Sequence, residues 1–307
     1  MNKIFSRWSM VLPGIFLLLS ACVQQPDPAA ASLEPVQSPN DDRQYRYITL
    51  ENGLRALLIS DADTEKAAAS LDVFVGSAQN PKDRAGLAHF LEHMLFLGTD
   101  KYPDPAEYEE FVTEHGGARN AYTGFEHTNY FFDIDQEDLA PALDRFAQFF
   151  ISPRFDEQYV GREVNAVEAE YQMGIKTDGR RTLDVLREIV NQDHPFSILG
   201  VGTGETLGSV ESPVRDDLLK FYERYYSANL MSLVVLGRES PDALENMVRE
   251  MFSEVPNRGV EVPDITAPLY RPGTLPGLVY IEPEASERQL QLSFPMPDFR
   301  DNYRRKS

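Results

Sequence analysis

The chain has 307 residues, 49 acidic against 29 basic, with one Cys, one Trp and a formal net charge of −20. Its 42% hydrophobic and 25% charged residues are a globular composition, which excludes collagen-like and wholly disordered classes. The acid excess excludes nucleic acid as the main partner, since phosphate binding needs clustered Lys and Arg, and the lone Cys excludes an internal disulfide, a Cys-ligated zinc finger and an iron–sulfur cluster.

Residues 1–21 carry Lys3 and Arg7 but no acid, followed by a short apolar run over 10–19. That run is too short for a bilayer, which needs about 20 apolar residues. The pattern predicts a secretion signal over 1–21. Its end, Leu19-Ser20-Ala21-Cys22, resembles the bacterial lipobox, in which the Cys becomes the lipidated first residue of the mature protein. The resemblance implies lipidation at Cys22 and attachment to a membrane through that anchor. Val23-Gln24 lacks the Asp that retains lipoproteins at the inner membrane, so the implied location is periplasmic and outer-membrane-anchored. Cleavage before Cys22 would discard Trp8 with Lys3 and Arg7, taking the net charge from −20 to −22. Residues 22–42 then read as the lipidated Cys and a Pro-, Ala- and Ser-rich tether, whose residues 24–40 span at most ~60 Å when extended.

The body begins near Arg43. Residues 45–50 and 54–60 around the Asn52-Gly53 turn predict a hairpin. A strand is expected at 67–75. A helix follows at 87–97, buried because apolar residues fill nearly every position not claimed by chemistry. The next helix runs from Asp104-Pro105 to His115, with Pro in its first turn and Gly116-Gly117 as its stop. Strands are expected at 118–122, 128–134 and 230–236, and helices at 139–150, 156–174, 181–190, 214–226 and 241–252. Phe146, Phe149 and Phe150, at helical spacing, are core. Irregular alternation with hairpins predicts an α+β fold, a largely antiparallel sheet with helices packed on one face. The catalytic domain is placed at 43–262. The Pro- and Gly-rich stretch 257–276 reads as a linker, with short strands at 278–281 and 289–294 beyond it. Residues 263–307 are therefore read as linker and the truncated start of a second, homologous domain.

His89-Phe90-Leu91-Glu92-His93 is the main chemical signal. His89 and His93 are one helical turn apart, so both imidazoles can grip one metal ion. Glu92 stands beside that face without ligating, where a general base for a metal-activated water belongs. Burying two imidazoles and a carboxylate on an apolar helix without a metal would be costly. A catalytic zinc takes three protein ligands. Glu163 and Glu170 lie two turns apart on one face of the 156–174 helix, while Glu168 is rotated away. Either Glu163 or Glu170 can be the third ligand, with the other orienting a histidine. His115 reads as a charge partner at a helix C-terminus, His127 as structural support, and His194 as a packing residue. Gly200, Gly202, Gly204 and Gly208 follow no strand and read as a flexible loop rather than a nucleotide site.

At these residues the chain resembles the insulinase–pitrilysin family of inverted-motif zinc peptidases, in its insulin-degrading enzyme and protease III branch. The likeness runs through 89–99, Asn120-Ala121-Tyr122-Thr123, 126–130, 142–150, 162–167 and 226–231. The family pattern implies Glu170 as the third zinc ligand, Glu163 as a catalytic-site carboxylate supporting a histidine, and Glu92 as the base. It also implies one zinc per chain. A peptide substrate would add as a strand along an edge at 117–123, with Asn120 and Ala121 holding the scissile region. Such pairing reads main chain more than side chain. Family members of this branch carry several such domains in two halves, and an Arg and a Tyr of the C-terminal half stabilise the transition state. The expectation is a zinc endopeptidase whose full activity needs C-terminal domains or a partner half. The alternative is a binding or assembly lipoprotein that keeps the fold with little or no turnover.

Overall fold

The Asn52-Gly53 turn folds β1 (Gln44–Thr49) antiparallel onto β2 (Arg55–Ser60), as the pattern predicts. The structure is a computed structural model that describes residues 37–208, 213–284 and 288–296. The expected signal, the lipidation site Cys22 and most of the tether lie outside the described residues. Among those described, no helix is long and apolar enough to cross a membrane.

Four further strands complete one sheet: β3 (Lys66–Val73), β4 (Ala118–Thr123), β5 (Thr128–Asp135) and β6 (Met231–Gly237). Their order is β1-β2-β6-β3-β5-β4. Every neighbouring pair is antiparallel except β2 and β6, which run parallel. The register stacks side chains in rows across one face, apolar except for Arg119 at the β4 end. One row is Ala56, Leu233, Leu71, Tyr130 and Ala121; the next is Leu58, Val235, Ala69, Phe132 and Arg119. The period-two alternation of each strand thus becomes a single buried face.

Helices cover that face. In chain order they are α1 (Leu87–Leu95), α2 (Glu107–Glu114), α3 (Leu139–Ile151), α4 (Glu157–Gly174), α5 (Asp178–Ile189), the short α6 (Gly204–Leu207), α7 (Val214–Tyr225) and α8 (Pro241–Phe252). α1 buries Leu87, Ala88, Phe90, Leu91, Met94 and Leu95, so it is sunk in the core. Phe146, Phe149 and Phe150 of α3 are buried as expected, edge to face with Phe132, Tyr108 and Tyr130. The buried hydroxyls of Tyr130 and Tyr226 satisfy each other at 2.7 Å.

Two expectations are corrected. α2 starts at Glu107, not in the turn containing Pro105: Asp104 holds the preceding loop through its side chain to Ala106 N (2.9 Å) and its carbonyl to Glu107 N (3.3 Å). Residues 278–281 and 289–294 form no strands, and Leu278, Tyr280, Leu290, Leu292 and Phe294 are exposed. Alternating apolar residues there have no ladder partner among the described residues, and a strand exists only where another strand pairs with it. Before them, the chain is pinned at Asn191, which donates from its backbone to Leu269 O and from its side chain to Pro268 O, both at 2.9 Å.

Candidate metal centre

Helix α1 carries His89 and His93 on one face, and their Nε2 atoms lie 3.3 Å apart. α4 packs against it and brings Glu170 Oε2 to 3.4 Å from His89 Nε2 and Oε1 to 3.6 Å from His93 Nε2. Among the described residues, these three side chains form a group able to hold a metal, with donor atoms all within 4.8 Å of one another. The two ligands of one turn and the third of a distant helix meet because α4 runs beside α1.

The far side of each ring is committed. His89 Nδ1 donates to the Val201 carbonyl at 3.0 Å, and His93 Nδ1 donates to Glu163 Oε2 at 3.3 Å. Arg162 Nε in turn donates to Glu163 Oε1 at 2.9 Å. With both Nδ1 atoms engaged as donors, each Nε2 faces the Glu170 carboxylate: protonated, it donates there; neutral, it offers a lone pair to a cation set between them. Three electron-rich atoms then face one point, an arrangement that a cation relieves. Two imidazole nitrogens and one carboxylate oxygen fit a borderline ion such as zinc and leave room for a further ligand.

The carboxylates also favour a proton on His93, with which a metal would compete. Burial by itself pushes His93 down, but Glu163 and Glu170 outweigh it and raise the imidazole to about 9. Hydrogen bonds from His89 and then His93 hold Glu170 well below the usual carboxylate range. Glu163 is lowered as well, chiefly by His93 and further by Arg162. The pocket therefore concentrates negative charge around the two rings.

Glu92, buried at 8% exposure, lies on the same helix and does not join the three donors. Its Oε2 accepts from the Thr123 hydroxyl at 2.5 Å. Burial pushes this carboxyl up, against the Thr123 hydrogen bond and the neighbouring histidines. Such a group holds a proton more readily than an ordinary carboxylate, as a general base must after it takes one.

β4 brings Thr123 to Glu92 and forms one of the two edges of the sheet. Gly124 N donates to His127 O across the β4–β5 pair at 2.7 Å. Alternation from that bond turns the main-chain groups of Arg119, Ala121 and Thr123 outward. Asn120 is exposed, and its Oδ1 accepts from Ala121 N at 2.9 Å. A cleft of about 980 Å³ joins this edge, the histidines, Glu92, Glu163 and Glu170 to α5.

All the expected residues except Cys22 therefore lie in or beside one cleft. The sequence reading missed three supports: the Val201 carbonyl, the Thr123 hydroxyl and Arg162. The glycines around Val201 were the available signal. Their segment is packed, since a Cβ on Gly86 would stand 2.2 Å from Gly202 Cα. Both glycines have positive φ, 88° and 84°, and their backbone contact sets Val201 against His89. Glu168 fastens the same segment by accepting from Gly204 N at 2.7 Å. The other histidines serve structure: His115 closes α2 by donating to Phe111 O at 2.7 Å, and buried His194 accepts from Phe196 N at 3.1 Å.

The family described as insulinase (peptidase family M16) matches residues 55–199, and the peptidase M16 inactive domain matches residues 213–307. Human insulin-degrading enzyme is 48% identical over 258 residues, covering 83% of this chain and 25% of that protein. The A-factor-processing enzyme of Saccharomyces cerevisiae is 42% identical over 270 residues, covering 87% and 26%. The crystal structure of pitrilysin superposes with a TM-score of 0.75 at 39% identity, over 76% of this chain and 25% of that one. The chain thus spans about a quarter of the length of these relatives. Its fold and its matched segments make it a member of the insulinase–pitrilysin family.

Proposed function

We propose that the chain is the zinc-binding part of a metalloendopeptidase that hydrolyses peptides, with His89, His93 and Glu170 as the metal ligands. The observation that carries this reading is the convergence of three donors, two of them histidines whose Nδ1 atoms are already locked, beside a buried, unligated carboxylate. Zinc, when bound there, would supply Lewis-acid polarisation of the scissile carbonyl and a more acidic water. Glu163 keeps the His93 tautomer by accepting at Oε2 from Nδ1. Glu92 takes a proton from the attacking water at its carboxylate and returns it to the leaving amine, while Thr123 fixes the orientation of that carboxylate. The outward main-chain groups of β4 align the peptide backbone, and Asn120 releases Ala121 N as the peptide enters.

Two parts of the reading rest on sequence resemblance. The first is that groups beyond these 307 residues stabilise the transition state, so turnover by the chain alone is slow; such stabilisation is commonly worth roughly 10²–10³ in rate. The second is a lipid at Cys22 holding the protein in the periplasm at the outer membrane. Incorporation of labelled palmitate, lost in Cys22→Ser, tests the anchor.

The catalytic test uses the full chain, added zinc and a quenched fluorescent peptide. Glu92→Gln is expected to lower turnover roughly 10²–10⁴-fold, the range of a lost general base, while zinc content stays near one per chain. Turnover that survives the substitution would remove Glu92 from the chemistry. One zinc per chain with no turnover by the unaltered chain would support the reading that full activity needs the C-terminal groups the resemblance implies.

A further inference from the structure

Helix α5 lines the cleft through Arg180, Leu183 and Arg187. Their spacing places all three on one helix face. The two guanidinium groups flank the metal ligands. Arg180 lies over the end of α4, its Nε 3.4 Å from where a Cβ on Gly174 would stand, one turn beyond Glu170. Arg187 reaches the other side, one of its terminal nitrogens 3.7 Å from the equivalent point on Gly200, beside Val201.

The pair is not fully satisfied. Arg187 donates to Asp184 Oδ1 at 2.5 Å and stands 5.8 Å from the Phe196 ring centroid. Its Nε is buried and has no hydrogen-bond partner. Arg180 has no carboxylate within ion-pairing distance among the described residues. Burial first, and then the nearby Arg180 charge, work against the Arg187 guanidinium, and Asp184 supports it. Two adjoining cations with one carboxylate between them leave one positive charge in the cleft for an anion.

We propose that Arg180 and Arg187 receive a carboxylate of the bound peptide, so that an acidic group near the scissile bond is a specificity determinant. The inference rests on the peptidase reading above and names its substrate class. A guanidinium pairs with a carboxylate through parallel hydrogen bonds that an ammonium or an amide cannot reproduce. Leu183 between the arginines offers an apolar floor for the carbon stem of the acidic side chain. The carboxylate can come from an Asp or Glu side chain or from the peptide's own C-terminus, and the two sources separate experimentally.

The test is a binding measurement on the full-length Glu92→Gln chain, with zinc and without, so that peptides stay intact. Fluorescent peptides of one length, amidated at the C-terminus, carry Glu, Gln or Lys at successive positions, and anisotropy gives Kd. At one position, Glu is expected to bind about tenfold more tightly than Gln, with Lys weaker still. That advantage should fall to about twofold or less in Arg180→Gln and in Arg187→Gln, survive in part in Arg187→Lys, and shrink in about 0.5 M NaCl. A neutral peptide set comparing free acid with amide assigns the site to the chain end if it alone shows the advantage. Equal binding of Glu and Gln peptides at every position together with no advantage of free acid over amide, or an advantage that survives both arginine substitutions, overturns the proposal. The Glu-to-Gln exchange lies in the peptide, so it decides the matter even if Arg187→Gln does not fold. Selective binding by a chain that takes up no zinc would retire the peptidase reading alone; zinc uptake and turnover without selectivity would retire this inference alone.

Discussion

At the scale of single residues, the candidate centre has both of its histidines held from behind. Glu163 donates no atom to the three-donor group, yet it fixes His93 and is fixed in turn by Arg162. Glu163→Gln keeps the shape and removes the charge, so zinc affinity is expected to fall roughly 10–100-fold, read by competition with a metallochromic chelator. Glu170→Gln removes a ligand and should abolish stoichiometric zinc, measured by elemental analysis after gel filtration. A Glu163 variant with the larger loss would exchange the roles of the two carboxylates. His89, Glu92 and His93 were legible because their chemistry lies within five consecutive residues. The choice between Glu163 and Glu170 was not legible from helical geometry, which places both on one face; only the family likeness separated them. The Val201 carbonyl was invisible because any residue has a carbonyl, and nothing in its side chain marks it.

At the scale of elements, helix positions were readable and partners were not. Periodicity located α1, α3, α4, α7 and α8 to within a few residues, since burial of one face imposes it. It also located β6, but no local pattern says that β6 enters between β2 and β3. The same limit produced the strands expected at 278–281 and 289–294, where alternation is present and pairing is not. The Gly86–Gly202 contact is the clearest case of an element-level device hidden in loop chemistry. Gly86→Ala would force an L side chain into a left-handed conformation and drive its Cβ into backbone. A loss of about 2 kcal/mol or more in urea unfolding is expected, with weaker zinc binding as Val201 leaves His89. Wild-type zinc affinity in that variant would mean that the carbonyl contributes nothing to the centre.

At the scale of the molecule, a metal held by His89, His93 and Glu170 would tie α1 to α4, two helices otherwise joined by packing and by the His93–Glu163 hydrogen bond. A cation bound to the folded chain and not to the unfolded one stabilises it by mass action, by about 4 kcal/mol at a thousandfold excess over Kd. For a body of this size, chelation should then lower Tm on the order of 10 °C, and Glu170→Gln should lose that response. An unaltered Tm on chelation of the native chain would show that no cation was bound.

The place of β6 has a consequence for how the protein comes into being. Its neighbours β2 and β3 end at Ser60 and Val73, whereas β6 begins at Met231. Until it arrives, β1–β2 and β3–β5–β4 are two half-sheets, each with a bare edge where the other should be joined. Contacts of such long sequence separation form slowly, because the chain between them must first be ordered. The closing strand is thus the last one made: a ribosome must release residue 237, or a secretion pore must pass it, before the two halves can become one sheet.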